Sequence, residues 1–145
     1  MMSECVVPKT PQELYNRIKR CMDENGVGYI EIPNALTLEF DHNIGSHKTS
    51  IYVYVDRTAP ILCTSSILDL QPDDSKRLDI LNTLNRINNQ LIYGAFVYDE
   101  LGERILFRCH TSTENFIPSK DYMTGKLTFI VSIIKQYFDE ISNSC

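Results

Sequence analysis

The stretch "LNRINNQLIYGAFVYDELGERILFR", Leu84 to Arg108, decides the fold. It closes a run in which Leu81, Leu84, Ile87 and Leu91 recur every three or four residues, as on a helix with one buried face. Leu78 and Ile80 extend that face. The period then changes. "LIYGAFVYD" alternates as a strand, "ELGE" is a tight turn with Gly102 expected in the left-handed conformation, and "RILFRCHT" is the returning strand. A helix feeding straight into a hairpin builds a surface, and this one carries hardly any group suited to catalysis.

Toward the N-terminus, "TPQELYNRIKRCMDENG" has both helix ends signalled. Thr10 is the N-cap, Pro11 fits the first helical position, and Glu13 completes a capping box. Leu14, Ile18, Cys21 and Met22 share one face, and Asn25-Gly26 supplies the stop. "VGYIEI" and "ALTLEF" read as short strands joined at Pro33-Asn34. "DHNIGSHK" reads as a polar loop, and "TSIYVYVD" and "PILCTSSI" as further strands. "QPDDSK" starts the middle helix with Asp73 or Asp74 as its cap.

Toward the C-terminus, Ser119 caps a last helix in which Met123, Leu127, Ile130, Ile134, Tyr137 and Ile141 step by three and four. Phe129, Val131, Ile133 and Phe138 widen its apolar arc beyond what packing on one sheet face requires. Either the N-terminal part of the helix is deeply buried or a second subunit covers the rest; a homodimer is the expectation, since large exposed apolar patches are rare on monomers. The fold class is therefore α+β: helix, three strands, helix, two strands, helix, with an antiparallel five-stranded sheet. One domain spans residues 1–145, with 1–9 expected to be flexible.

The chain has 145 residues, with 14 Lys plus Arg against 19 Asp plus Glu and a net charge of -5. An acidic surface repels phosphate backbones, so no nucleic-acid partner is expected. Neither a signal peptide nor a membrane span is read from the sequence. Five widely spaced cysteines (Cys5, Cys21, Cys63, Cys109, Cys145) fit reduced thiols and a cytoplasmic location.

"LNRIN" (Leu84 to Asn88), followed by "GAFVYD" (Gly94 to Asp99), resembles the helix-to-hairpin signature of YbjN-like domains, which share the fold of type III secretion chaperones. The order of elements agrees from Leu14 to Ile141. The resemblance implies a small bacterial cytoplasmic protein, dimeric, with no catalytic residues to carry over. Secretion chaperones hold unfolded segments of effector proteins, and YbjN-like domains are described as regulators or chaperone-like modules. A shared fold does not by itself assign either role.

Residue chemistry supports a binding role over a reactive one. Asn85 and Asn88, at the end of the middle helix, are expected to bond nearby backbone. Gly94 predicts close approach by another backbone or a bulky side chain, expected to be an aromatic from the last helix, with a ligand as the alternative. Cys109 adjoins His110, but strand neighbours point to opposite faces, so no nucleophile–base pair forms. Cys109 and Cys63 read as buried thiols. Asp41, His42 and His47 share one loop, too little for a metal site, and Gly26 and Gly28 end a helix rather than opening a phosphate loop.

No catalytic residue, metal ligand or cofactor is assigned. The candidate binding residues are Tyr52, Tyr54, Gly94, Arg104, Arg108 and His110. Arg104, Arg108 and His110 line one face of a strand around Leu106, either as a solvated face paired with Glu100, Glu103 or Glu114 or as an anchor row for an acidic partner segment or a small anion. Four strand tyrosines (Tyr52, Tyr54, Tyr93, Tyr98) are too many for the core alone, so some form a contact surface. The expected function is a non-enzymatic protein-binding or chaperone-like regulatory module with a protein or peptide partner. The alternative is a small-ligand sensor with a pocket near the 91–108 hairpin, anchored by Arg104 or Arg108. An enzyme is the least supported reading.

Overall fold

The computed structural model describes residues 6–145. The expectation of flexibility for residues 1–9 therefore falls partly, at 1–5, outside the described residues. Helix α1 (Pro11–Glu24) begins where the sequence signals it: Thr10 Oγ1 accepts from Glu13 N at 3.1 Å. The capping carboxylate closes one residue earlier than a standard box, with Lys9 N donating to Glu13 Oε2 at 2.8 Å. Asn25 ends the helix and Gly26 follows at φ 69°.

Six strands follow: β1 (Ile30–Ile32), β2 (Thr37–Ile44), β3 (His47–Val55), β4 (Ile61–Ile67), β5 (Ala95–Asp99) and β6 (Arg104–Ser112). They form one antiparallel sheet in the order β1-β2-β3-β4-β6-β5. Helix α2 (Arg77–Asn88) lies between β4 and β5, and α3 (Lys120–Ser144) closes the chain. Six strands rather than five form among the described residues, because all four segments between α1 and α2 ("VGYIEI", "ALTLEF", "TSIYVYVD" and "PILCTSSI") pair into the sheet where three were expected; "DHNIGSHK" is not a loop either, and lengthens two of them. β2 runs on to Ile44, turns through Gly45 (φ 60°) and Ser46, and pairs Ile44 with His47. A two-residue turn with a left-handed glycine matches the twist of the strands it joins.

The cap at "QPDDSK" is Asp73, which accepts from Ser75 N and starts a short 3-10 turn before α2. Strand β5 begins at Ala95 rather than Leu91. In the following turn the left-handed residue is Glu103 (φ 48°), not Gly102. On α2 the buried residues are Ile80, Thr83, Leu84 and Ile87; Leu78 and Leu81 stand outside, 71% and 39% exposed. The buried stripe thus runs one position away from Leu81.

All three helices cover the same face of the sheet. α1 packs with Leu38, Val53, Val55 and Leu62, and α2 with Phe96, Tyr98, Ile105 and Phe107. α3 passes between them, giving Met123 to the first cluster and Ile130, Ile134, Phe138 and Ile141 to the second. That central position explains its wide apolar arc. Leu127, Val131, Ile133 and Tyr137 pack against α1, α2 and their clusters, and only Phe129 of the widening residues stays outside, at 37% exposure. The arc is used within one chain, so it carries no argument for a second subunit. Among the described residues no helix is long and apolar enough to cross a membrane.

The edge of the sheet at β5 is closed by a side chain. Asn88 Nδ2 donates to Phe96 O at 2.9 Å, and Asn88 Oδ1 accepts from Phe96 N at 2.8 Å. The amide takes the place of a neighbouring strand at that residue, bonding backbone as the sequence suggests. Asn85 is exposed, and its side chain bonds nothing among the described residues. Asn88→Ala is expected to lower unfolding free energy by roughly 1–3 kcal/mol, since two backbone groups lose their partner. Asn85→Ala should stay within about 0.5 kcal/mol. Denaturant titration separates the two, and faster hydrogen exchange at the Phe96 amide locates the effect.

Candidate functional site

Among the described residues, the other sheet face carries no helix. On β3 the buried Ile51, Val53 and Val55 face the helices, so Tyr52 and Tyr54 face away. On β6 the buried Ile105, Phe107 and Cys109 face the helices, so Arg104, Leu106, Arg108 and His110 face away. Strand β4 lies between and presents Cys63, Ser65 and Ile67. Registers align the rows: Glu39, Tyr52, Ser65 and Arg108 across one line, Thr37, Tyr54, Cys63 and His110 across the next.

The short Ser65 between tall neighbours makes a trough. Tyr52 and Tyr54 wall one side, Arg104, Leu106 and Arg108 the other, and Ser65 and Ile67 form the floor; its volume is about 540 Å³. Cys63, 4% exposed between its register partners Tyr54 and His110, closes one end. Four of the six candidate residues therefore meet in one place, and His110 stands at its end. Gly94 does not join them. It precedes β5, and a Cβ there would lie 2.5 Å from Phe107 Cζ, on the helix-covered side. The close neighbour is thus an aromatic of the adjacent strand, not of the last helix, and the space a ligand pocket at Gly94 would need is filled.

Charge in the trough is lopsided. Arg104 Nε pairs with Asp99 Oδ2 at 3.1 Å. The exposed Arg108 has no carboxylate within ion-pair distance among the described residues. Tyr52 Oη donates to Glu39 Oε1 at 3.4 Å; its own pKa is raised by burial first and by that carboxylate next. Asp41, farther along the face, is engaged by Lys48 at 3.1 Å. Tyr93 lies in the loop before β5, and Tyr98, 9% exposed, belongs to the core.

The groups weighed for chemistry are separated. Burial pushes the thiols of Cys21, Cys63 and Cys109 up, away from the thiolate a nucleophile needs. Asp41 and His42 alternate along β2 on opposite faces, while His47 stacks on Phe138 at 4.3 Å between ring centres and approaches Asp69 at 3.6 Å. Among the described residues no three His, Cys, Asp or Glu side chains group closely enough to hold a metal ion.

This architecture, an antiparallel sheet with helices on one face, is the YbjN-like fold shared with type III secretion chaperones. The chain is similar to YbjN from E. coli, with a TM-score of 0.67 and 14% identity, over 93% of this chain and 94% of that one. It is also similar to a chain of the HopA1–SchA chaperone–effector complex, with a TM-score of 0.54 and 12% identity, over 89% of this chain and 99% of that one. No family model matches the sequence, and no curated protein matches it.

Proposed function

We propose that the chain is a non-enzymatic protein-binding module, chaperone-like or regulatory, that holds an extended, acidic segment of a partner protein in the trough over β4. The carrying observation is the trough itself: tyrosines on one wall, on the other an arginine with no carboxylate partner among the described residues, and Ser65 and Ile67 along the floor. An extended segment repeats every two residues, as strands do, so its alternate side chains match the strand spacing. Tyrosine buries much area for little lost entropy, and arginine matches carboxylates in bidentate fashion. The solved chaperone–effector complex of similar fold supports a protein as the partner class, and the net charge of -5 argues against nucleic acid.

The test is capture of partners by the purified chain, then titration of the segment recovered. Arg104→Glu with Arg108→Glu is expected to weaken binding by roughly 10- to 100-fold, because like charges replace attraction. Tyr52→Ala should weaken it by about tenfold. Unchanged binding in both variants would remove the trough from the reading. The sensor alternative gains nothing from the filled space at Gly94. A homodimer belongs to this reading, now supported by Leu78 and Leu81, exposed one turn apart on α2. Light scattering at twice the 16.7 kDa chain mass is the expected result.

A further inference from the structure

On the helix-covered side, one lysine occupies a position in an apolar stripe. Lys126 follows Met123 and precedes Ile130 on α3, and it is only 7% exposed. Its ammonium donates to Thr111 Oγ1 at 2.7 Å and to Tyr93 Oη at 2.9 Å, and it lies 5.0 Å from the centre of the Tyr93 ring. Tyr93 in turn donates to the carbonyl of His110 at 2.9 Å. Burial opposes the charge and the hydrogen bond to Tyr93 favours it, and the pKa is displaced upward. The group is an ammonium at neutral pH.

Two of its three N–H groups are therefore used, and no carboxylate lies within 4.0 Å of it among the described residues. A buried charge without a counter-ion is costly, so it is either compensated by a ligand or tolerated at a loss. Lys126 lines a shallow, largely open depression of about 520 Å³, flanked by Tyr93, Tyr122 and Phe129, with Gly125 and Asp121 at the α3 side. A glycine inside a helix is disfavoured relative to alanine. Gly125 faces open space, with nothing within 4 Å of a Cβ built there, so it leaves the mouth unobstructed.

We infer that this recess is a binding site for a carboxylate carried on an aromatic or branched apolar body, with Lys126 as its counter-ion. The flanking rings take the body, and the third N–H takes one carboxylate oxygen. Asp121, on the same rim, repels any anion, so Lys126 has to outweigh it for the acid to be preferred. Two sources share that chemistry: a free organic acid, and the C-terminal residue of a peptide ending in an apolar side chain. The site is independent of the trough, which lies on the other face of the sheet.

The test uses 3-phenylpropionate and 3-phenylpropionamide as probes, read by titration of the purified chain and by shifts of the Tyr93, Tyr122 and Phe129 resonances. The acid is expected to bind at least about tenfold tighter than the amide, the margin a hydrogen bond to a charged group supplies. Lys126→Met should abolish that preference. Gly125→Leu, which raises helix propensity and so should fold, should weaken the acid by blocking the mouth. A peptide ending in Phe, tried as free acid and as amide, separates the two sources: binding of its acid form assigns chain termini, and its exclusion assigns free acids. Equal binding of acid and amide, or no shift at these residues at millimolar acid, overturns the proposal.

Discussion

Phe107→Ala is expected to destabilise the chain by roughly 3–5 kcal/mol, the range for removing a fully buried phenylalanine. Phe107 is 0% exposed. It is paired with Phe96 across β5 and β6, their ring centres 5.0 Å apart at an interplanar angle of 57°. Phe96 in turn meets Tyr137 of α3 edge-on at 6.1 Å. Truncation therefore opens a cavity where sheet, α2 and α3 converge, and the flanking side chains are fixed by their own packing. The loss is readable as a lower denaturation midpoint at unchanged slope. Phe107→Leu keeps most of the volume and should lose less than half as much.

How far the sequence discloses this arrangement depends on what each segment buries. "RILFRCHT" alternates cleanly because one face is core and the other is bare, so Arg104, Arg108 and His110 read onto one face and Cys109 onto the other. The same contrast assigns Tyr52 and Tyr54. "DHNIGSHK" hides its strand character because β1 covers β2 only from Thr37 to Glu39. Beyond that point Asp41, His42 and Asn43 are exposed on both faces, and alternation disappears. The Gly45-Ser46 pair is the one remaining signal.

Leu78 and Leu81 have the right spacing for a core face, but that spacing has more than one solution on a 12-residue helix, and packing on β5 selects Ile80, Leu84 and Ile87. Lys126 sits on the buried stripe of α3 by position. Its burial depends on Tyr93 and Thr111, which arrive from other elements and cannot be read from the helix alone.

Gly94→Ala is the second large effect, and it tests the same packing from the backbone side. Two penalties add. Gly94 has φ 82°, in the region L residues avoid, at a cost of about 1–2 kcal/mol. The added Cβ would also lie 2.5 Å from Phe107 Cζ and 3.3 Å from the carbonyl of Arg108. Overpacking of that kind costs about 1–3 kcal/mol, because a buried ring cannot retreat without disturbing its neighbours. The sum is a loss of roughly 2–5 kcal/mol. The two parts are separable in a double-mutant cycle with Phe107→Leu, whose shorter side chain relieves the contact and leaves the backbone strain. Gly94→Ala is then expected to cost about 1–3 kcal/mol less in the Phe107→Leu background than in the native one. Strict additivity would mean that the tight approach between Gly94 and Phe107 carries no energy, and that φ alone demands glycine.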